Sequence, residues 1–600
     1  MKKSYVMLTM IILMIPLDIM CFSVQKSYNQ TKKSVISAGN SALDALKDVI
    51  DEITDVYAAI KKAIRKKYPY KPKWTDDQLQ VRQGTGLCPR ELKFIANRTP
   101  RVTQALKKNF DIDEPLKIGM CFSGGGNRAM LVSLGFLLGC QDIGLYDASY
   151  YMAGLSGSTW TLTPFCYLHA TKNMSLTEFK DQLVSRIDNV MKGNPPIPIF
   201  TKYQNRSMQN NFAKRFGYGQ YLSSIDIYGS FIGDFTLLPA GNNRLDVTWS
   251  STADKMELGD IPLPMGSAVA DKQIGTDDYY WLEVGPFEVG SDQLNAYVPT
   301  QAFGSKFRSG RPAKGYAGHA PEYPMSFYEG VFGSAYTASM NEADRLPIKK
   351  YKIDIFGQSI TIDLAHWFAD LDDNKKFSNN VVDNIRLFPA CFHNYTSELK
   401  DTPIKKETKL KLYDGGLNFD LPLPLVMRQA RDLDFIVACD AMIDLNTLQL
   451  AAIHFKRNNI KFPDVSNFTI ETISKPLTVL NDPRMPNYDK DMVTIAYCPF
   501  IKNEGFSKDF DPIECREKGF CKMLNFNYTK EQTDQVVGVT RYNVNFIKDE
   551  IKAVLQALQA QKQANKPAAA PVAVIPAVVP AVAQVTTVQP AANMTTVATK

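Results

Sequence analysis

Apolar residues follow three different patterns along this chain. Near the N-terminus an apolar run extends from Val6 to Leu17, whereas between Leu43 and Ile64 the apolar positions recur in steps of three and four. The second spacing places one apolar stripe along a helix of about six turns. From Pro567 to the end the chain consists mainly of Ala, Val, Pro and Thr without periodicity, so we expect a flexible tail there.

Shorter apolar runs in the middle of the chain end in glycine-rich turns. One run covers residues 118–122 and leads through the SGGG segment at 123–126 into a long apolar stretch with helical character. A second run leads into GLSGS at 154–158 and a further helical stretch, and a third, short run ends at Asp414. Short apolar runs bounded by glycine predict strands, so this part of the chain indicates strands alternating with helices.

Composition and charge exclude several classes of protein. The chain has 600 residues, of which 45% are hydrophobic and 22% are charged. These fractions are close to the globular average, so a mainly disordered, collagen-like or disulfide-scaffold chain is excluded. The 69 Lys and Arg residues against 62 Asp and Glu leave a net charge of +7. This mild excess gives no strong case for nucleic acid and only a weak bias towards anionic surfaces.

The N-terminal segments predict export and a helix of open role. The first apolar run is too short to cross a bilayer, which needs about 20 apolar residues, and it follows Lys2 and Lys3. Residues 1–23 therefore predict an export signal, and we expect a secreted, periplasmic or cell-surface protein with peripheral membrane contact. The helix of residues 43–64 packs on the main body, self-associates as a coiled coil, or lies on anionic lipid.

The glycines after the first predicted strand indicate an anion site. Strand, glycine turn and helix in this order bring several backbone N–H groups to one point near a helix N-terminus. The anion is a nucleotide phosphate, a ligand carboxylate or the oxyanion of an acyl-transfer intermediate. The nucleotide options fit poorly, because there is no G-x-G-x-x-G spacing and no Lys-Ser/Thr after the glycines. A structural turn is the alternative.

Ser156 lies at the centre of a predicted nucleophile elbow. The glycines beside it permit a tight strand-to-helix turn that pushes the hydroxyl out above the sheet, although Ser158 stands where G-x-S-x-G has glycine. An ordinary Ser/Gly turn is the alternative. A serine nucleophile needs a base, and the chain order of an ordinary hydrolase permits Ser156, Asp414 and His454. His454 lies in a helical stretch, which favours a packing role, and Asp414 ends a strand beside two glycines.

Two further features concern cysteine and aromatic residues. Cys515 and Cys521 lie close together in a polar loop and are the first pair in which we expect a disulfide. The segment 171–281 is rich in aromatic residues, which suits either a lid facing the membrane or ordinary core.

Taken together, the three glycine-containing segments resemble one family. SGGGNRAM (123–130) is similar to the oxyanion loop of the catalytic domain shared by cytosolic phospholipase A2 and the fungal lysophospholipase (phospholipase B) enzymes. GLSGSTW (154–160) is similar to its nucleophile elbow, and DGGLNFDLPLPLV (414–426), followed by ARDLDFIVACD, to its catalytic-aspartate segment. The resemblance covers residues 87–528, with the segments in the family's order.

The resemblance implies a fold, an activity and a set of site residues. The fold would be a three-layer α/β/α body with a mixed central sheet, like patatin and cytosolic phospholipase A2, with a cap or lid insertion. The activity would be release of fatty acids from glycerophospholipids or lysophospholipids at a membrane or micelle surface. Ser156 would be the nucleophile and Asp414 its partner in a dyad without histidine. Gly125 and Gly126 would hold the oxyanion, and Arg128 would lie near the lipid phosphate or the charged intermediate. No metal and no cofactor are expected.

We expect this division of the chain: an export signal at 1–23, an amphipathic helical segment at 24–80, the phospholipase catalytic domain at 81–562 with its cap candidate at 171–281, and a disordered tail at 563–600. Two other functions stay open. One is a catalytically silent lipid-binding or surface-interaction protein of the same fold. The other is an esterase with a Ser-Asp-His triad.

Overall fold

Five parallel strands lie at the centre of one mixed sheet in this computed structural model. The structure describes residues 58–191, 202–273, 275–334, 350–355, 358–363, 390–466, 468–522, 525 and 528–565. The strands in these ranges are β1 (Arg82–Gln83), β2 (Ile118–Phe122), β3 (Ser149–Leu155), β4 (Leu263–Lys272), β5 (Tyr279–Val284), β6 (Glu288–Ser291), β7 (Ala296–Pro299), β8 (Phe307–Arg308), β9 (Arg311–Pro312), β10 (Lys350–Ile355), β11 (Gln358–Asp363), β12 (Ala390–His393), β13 (Lys409–Asp414), β14 (Phe435–Asp440), β15 (Thr478–Leu480) and β16 (Thr494–Pro499).

The order of the main sheet is β1-β7-β6-β5-β4-β3-β2-β14-β16-β15. Strands β4, β3, β2, β14 and β16 are parallel, and the flanking strands pair antiparallel. Every residue of β2, β3 and β14 is buried, as expected for parallel strands covered on both faces. Strand β13 leaves this order, since it pairs with β12 and with β4.

Helices cover the sheet. They are α1 (58–67), α2 (Pro89–Phe110), α3 (Gly126–Asp142), α4 (Thr159–Lys172), α5 (Leu176–Met191), α6 (Lys202–Gly217), α7 (Ser224–Thr236), α8 (Ala253–Glu257), α9 (Met325–Phe332), α10 (Leu423–Val426), α11 (Leu445–Arg457), α12 (Ile470–Ile473), α13 (Pro512–Glu517), α14 (Lys530–Phe546) and α15 (Lys548–Ala564). The predicted α/β fold with a mixed central sheet and flanking helices is confirmed.

A buried arginine fixes the start of β3. The guanidinium of Arg98, on α2, donates hydrogen bonds to the main-chain oxygens of Ser149 (2.5 Å), Gly259 (2.9 Å) and Tyr146 (3.0 Å). Burial lowers the pKa of Arg98 to about 10, so the group stays charged at neutral pH. Because Ser149 is the first residue of β3, these bonds hold the beginning of the strand in place.

The predicted cap divides into two parts in the structure. Residues 171–281 include helices α5 to α8, but they also include β4 and the beginning of β5, which belong to the sheet. Only the helical part is therefore separate from the central layer, and its role as a lid stays a prediction. Apolar composition alone did not distinguish a buried sheet strand from a cap.

The predicted terminal segments fall mostly outside the described residues. Residues 1–57 and 566–600 hold the export signal, most of the amphipathic helix and the tail. The end of that helix, α1, packs on the body: Ile64 Cγ2 is 2.9 Å from the position that a Cβ on Gly217 would take. Within the described ranges, no helix combines the length and apolar character that crossing a membrane requires.

Candidate active site

Strands β3 and β13 reach the same edge of β4 from opposite directions. β3 runs parallel to β4, with Leu155 opposite Ser267, and β13 runs antiparallel, with Asp414 opposite Ala268. Strand β5 occupies the other edge of β4. Since Ser267 and Ala268 are consecutive, the carboxyl ends of two strands meet here. The fold thus brings Ser156 and Asp414 to one place.

Ser156 has the backbone conformation of a strained elbow. Its φ is 52°, in the left-handed region, and it begins a 3₁₀ turn between β3 and α4. For a residue with a Cβ this conformation costs about 1–3 kcal/mol and persists only where the surroundings enforce it. Ser158 supplies part of that constraint: its Oγ accepts from the Leu155 N–H (2.8 Å) and donates to the Phe122 oxygen (3.0 Å). The serine at the fifth motif position therefore ties β3 to β2.

The glycine loop presents backbone N–H groups beside this elbow. Gly125 has a φ of 129°, which favours glycine, and it caps α3, which begins at Gly126. Gly124 donates its N–H to the main-chain oxygen of Asp420 (3.1 Å), which holds the loop in place. In the described part of the chain, the N–H groups of Gly125 and Gly126 have no protein acceptor. Both donors are therefore available to a ligand anion.

The loop and the elbow are in direct contact. A Cβ added to Gly157 would lie 1.9 Å from the carbonyl oxygen of Gly126, so no side chain fits there. A Cβ added to Gly124 would lie 3.1 Å from the Cβ of Ser156. The candidate oxyanion donors and the candidate nucleophile therefore share one small region.

Asp414 is buried where β13 ends. It is 0% exposed, and its Oδ1 accepts a hydrogen bond from the Gly416 N–H (2.9 Å). Its own N–H donates to Ser334 Oγ (3.2 Å). These contacts fix both the main chain and the carboxylate of the candidate base.

A second carboxylate, which sequence reasoning missed, faces the same point. A Cβ on Gly416 would be 3.3 Å from Asp414 Oδ1 and 3.1 Å from Asp420 Oδ1. A Cβ on Gly124 would be 3.8 Å from Asp420 Oδ1, so this side chain also borders the glycine loop. The signal was present in the sequence, because Asp420 ends the DGGLNFD segment that Asp414 begins.

The surroundings of Asp420 favour its protonated form. Burial, followed by the negative charges of Asp440, Asp414 and Asp444, raises its pKa to about 8, although Arg128 acts in the opposite direction. At neutral pH Asp420 is therefore mainly a neutral hydrogen-bond donor.

Arg128 lies behind the glycine loop. Its side chain is buried, with Nη1 donating to the Cys521 oxygen (2.7 Å) and Nη2 beside the sulfur of Met442. Nη2 is 2.8 Å from the position of a Cβ on Gly125. Burial lowers the pKa of Arg128. The guanidinium thus lies against the glycine loop, and its predicted role towards phosphate or the charged intermediate stays a prediction.

The expected bridge between Cys515 and Cys521 is not formed. Both residues are buried free cysteines. A hydrogen bond from the Cys521 thiol lowers the pKa of Cys515 to about 7, and the same contact raises the pKa of Cys521. The two residues are close, as the spacing predicted, and both thiols are free.

His454 has a different carboxylate partner from the one a triad requires. It lies buried on α11, and its Nδ1 is 2.9 Å from both carboxylate oxygens of Asp278. Asn418 also donates to Asp278 (2.8 Å). This arrangement is the packing role that the sequence favoured for His454.

Metal ligands are not clustered in the described ranges, where no group of three or more His, Cys, Asp or Glu side chains is placed to hold an ion.

Comparisons with known proteins identify relatives of this chain. The family model for the lysophospholipase catalytic domain matches residues 118–458, more than half of the chain. Mouse cytosolic phospholipase A2 zeta is 25% identical over 560 residues, covering 80% of this chain and 62% of that protein. Human cytosolic phospholipase A2 epsilon is 25% identical over 548 residues, covering 80% and 61%. The chain thus spans less than two thirds of the length of these relatives.

A solved structure has the same fold. Human GIVD cytosolic phospholipase A2 gives a TM-score of 0.64 at 20% identity, covering 81% of this chain and 69% of that one. Its complex with methyl gamma-linolenyl fluorophosphonate gives 0.57 at the same identity, covering 81% and 66%.

The prediction of export is wrong. The matched relatives are named cytosolic phospholipases A2, so a secreted, periplasmic or cell-surface location is contradicted and a signal peptide is unsupported. An apolar run behind two lysines is a weak signal, because its hydrophobicity alone does not specify translocation.

Proposed function

The chain belongs to the lysophospholipase catalytic domain family, and we propose on this premise that it is a serine acyl hydrolase. It releases fatty acids from glycerophospholipids or lysophospholipids through a Ser156–Asp414 dyad and an acyl-enzyme. The main support is the meeting of β3 and β13 on consecutive residues of β4, next to a loop with two available N–H donors.

In the first half-reaction Asp414 acts as the base. As Ser156 Oγ attacks the ester carbonyl carbon, the hydroxyl proton passes to the Asp414 carboxylate. The carbonyl oxygen becomes negative and accepts hydrogen bonds from Gly125 and Gly126. Losing one such donor typically costs about 2.7–4 kcal/mol of barrier. When the ester C–O bond breaks, the leaving glycerol oxygen takes the proton from Asp414, and the acyl group stays on Ser156.

Water completes the cycle. Asp414 takes a proton from water as its oxygen attacks the acyl-serine carbonyl, and the same N–H groups hold the second oxyanion. Breaking the acyl–Oγ bond returns the proton to Ser156 and releases the fatty acid. Each step balances within the dyad and one water, and no other base is needed.

Arg128 acts on charge from behind the loop. A buried guanidinium adds positive potential where the oxyanion forms, and its bond to the Cys521 oxygen holds it there. Direct contact with the lipid phosphate is the other role considered for this residue, and its burial supports the first. The names of the relatives support a cytosolic site of action.

The test uses a panel of phospholipids and lysophospholipids labelled at each acyl position. We expect the rate of fatty-acid release to fall at least about a thousandfold in Ser156→Ala and in Asp414→Asn. The thermal unfolding midpoint of each variant should stay close to that of the parent chain. Asp432→Asn, at an exposed aspartate paired with Lys117, is the matched control and should keep full activity. Full activity in either dyad variant would contradict the proposal.

A fluorophosphonate probe separates the proposal from a catalytically silent lipid-binding protein. An activated Ser156 reacts covalently, so labelling should occur in the parent chain and disappear in Ser156→Ala. The Ser-Asp-His esterase is tested by His454→Gln. Because His454 pairs with Asp278, this variant should retain turnover, and a loss comparable to that of Asp414→Asn would favour the triad.

A further inference from the structure

One short segment has a charge unlike the rest of the chain. Between Ala58 and Thr75 there are seven basic residues and no acidic one, and the net charge of the whole chain is also +7. The remaining residues are therefore balanced overall. The basic residues are Lys61, Lys62, Arg65, Lys66, Lys67, Lys71 and Lys73.

This basic segment, residues 58–75, is attached to the body by specific contacts. Arg65 Nη1 donates to the Gly217 oxygen (2.7 Å), and its guanidinium lies 4.1 Å from the centre of the Tyr316 ring. The hydroxyl of Tyr218 accepts from the N–H of Tyr70 (2.8 Å) and donates to its oxygen (3.0 Å). The segment thus has a fixed orientation against the end of α6.

Four exposed lysines of the segment are not used in these contacts. Lys62, Lys66, Lys71 and Lys73 are exposed, and none of them forms an ion pair with another described residue. Trp74 follows them and is 37% exposed. The first acidic residues are Asp76 and Asp77, and Asp76 is already paired with His319 (2.7 Å). In the sequence, these four lysines, which have no ion pair within the described ranges, precede an exposed tryptophan.

We propose that the basic segment is a docking surface for anionic phospholipid bilayers. Lysines attract the negative surface of such a bilayer, and an exposed tryptophan favours the boundary between headgroups and acyl chains. The inference rests on the proposed function, because a lipid-hydrolysing enzyme must meet its substrate in a bilayer. Nucleic acid is the other polyanion to consider. The balanced charge elsewhere on the chain and the proposed lipid substrate favour the bilayer.

The test variant removes four of the five exposed lysines of the segment together, as Lys62→Gln, Lys66→Gln, Lys71→Gln and Lys73→Gln. It is made in the full chain carrying Ser156→Ala, so that vesicles are not hydrolysed. Each lysine near an anionic surface contributes about a fivefold gain in partition, reduced by salt screening. We expect the variant to bind phosphatidylserine-containing vesicles at least about tenfold more weakly.

The matched control removes the same charge elsewhere. Its four lysines are exposed and without an ion pair in the described residues, and their changes are Lys456→Gln, Lys475→Gln, Lys518→Gln and Lys548→Gln. Binding of the control should equal that of the parent. Pure phosphatidylcholine vesicles should bind weakly in every case, and raised salt should release the parent from anionic vesicles. Brominated lipid should quench fluorescence in the parent more than in Trp74→Phe.

Several outcomes would overturn the docking surface. These are equal binding by the two four-lysine variants, parent binding that ignores phosphatidylserine, and preferential binding of the segment to RNA or DNA over vesicles. Turnover of a soluble short-chain ester is measured separately, with the parent and both four-lysine variants carrying Ser156. If none of these proteins turns the ester over, the proposed function is refuted. If they turn it over and the four substitutions in the basic segment leave vesicle binding unaltered, only the docking surface is refuted.

Discussion

Replacing Asp420 with asparagine should stabilise the protein in a pH-dependent way. The side chain lies between the glycine loop and the Asp414 carboxylate, where burial and neighbouring negative charge raise its pKa from 3.8 to about 8. Asparagine keeps nearly the same shape and cannot ionise. Asp420→Asn therefore removes one titration and little else.

The direction of the pH dependence of stability follows from how many protons the folded and unfolded states bind. Between the unfolded pKa of 3.8 and the folded value of about 8, the folded state holds a proton that the unfolded state has released. Stability from this group is thus fully present below pH 3.8 and is lost as pH rises towards 8. One unit of pKa shift corresponds to about 1.4 kcal/mol, so the full shift corresponds to about 6 kcal/mol. Asp420 is half-buried, and solvent screening reduces this figure. We therefore expect Asp420→Asn to raise the free energy of unfolding by about 2–4 kcal/mol near pH 8.

Urea unfolding measures this effect directly. The midpoint of Asp420→Asn should match that of the parent near pH 4 and exceed it progressively up to pH 8. Asp509→Asn, at an exposed aspartate without an ion pair in the described residues, is the matched control for the same chemical change. A destabilised Asp420→Asn, or a midpoint gain that does not change between these pH values, would contradict a raised pKa for Asp420.

Three other substitutions test the site. Gly157→Ala places a Cβ 1.9 Å from the Gly126 oxygen, so the glycine loop must move. The kcat for a soluble ester should therefore fall by about 10²–10³-fold, and an unchanged kcat would show that the position of the loop is unimportant. Arg128→Lys loses the Nη1 contact with the Cys521 oxygen, so kcat should fall with little change in KM; a raised KM alone would instead indicate substrate phosphate binding. Cys521→Ala removes the hydrogen bond that lowers the pKa of Cys515 to about 7. The pH at which iodoacetamide alkylates Cys515 at half its maximal rate should rise towards the ordinary thiol value, and an unshifted pH midpoint would contradict this account.

Local geometry was predictable from the sequence, because glycine-containing turns constrain the chain over a few residues. The strand at 118–122, the elbow at Ser156 and the strand ending at Asp414 all lie where the pattern indicated. Each depends on neighbours in sequence: an apolar run, then residues that permit a tight turn. The same reasoning placed His454 on a helix.

Contacts between distant segments were not predictable in this way. The pairing of Asp414 with Ala268 joins segments far apart in sequence, and no local pattern encodes which strand edge β13 joins. The partner of His454, Asp278, was missed for the same reason, since an Asp-Asp pair in a polar loop has no distinctive spacing. The constraint supplied by Ser158 was interpreted as a weakened motif, because its three hydrogen-bond partners are main-chain groups of Leu155 and Phe122.

The second carboxyl group explains how a site with clustered acids tolerates a developing negative oxygen. Asp414 and Asp420 face one point, and two adjacent negative charges would oppose the charge on the ester oxygen. Burial keeps the proton on Asp420 below about pH 8, so this group adds no charge while the reaction proceeds. Above that pH its ionisation should slow acylation. Asp420→Asn should therefore extend activity to higher pH, and an alkaline limit that stays unchanged in this variant would assign the limit to another group.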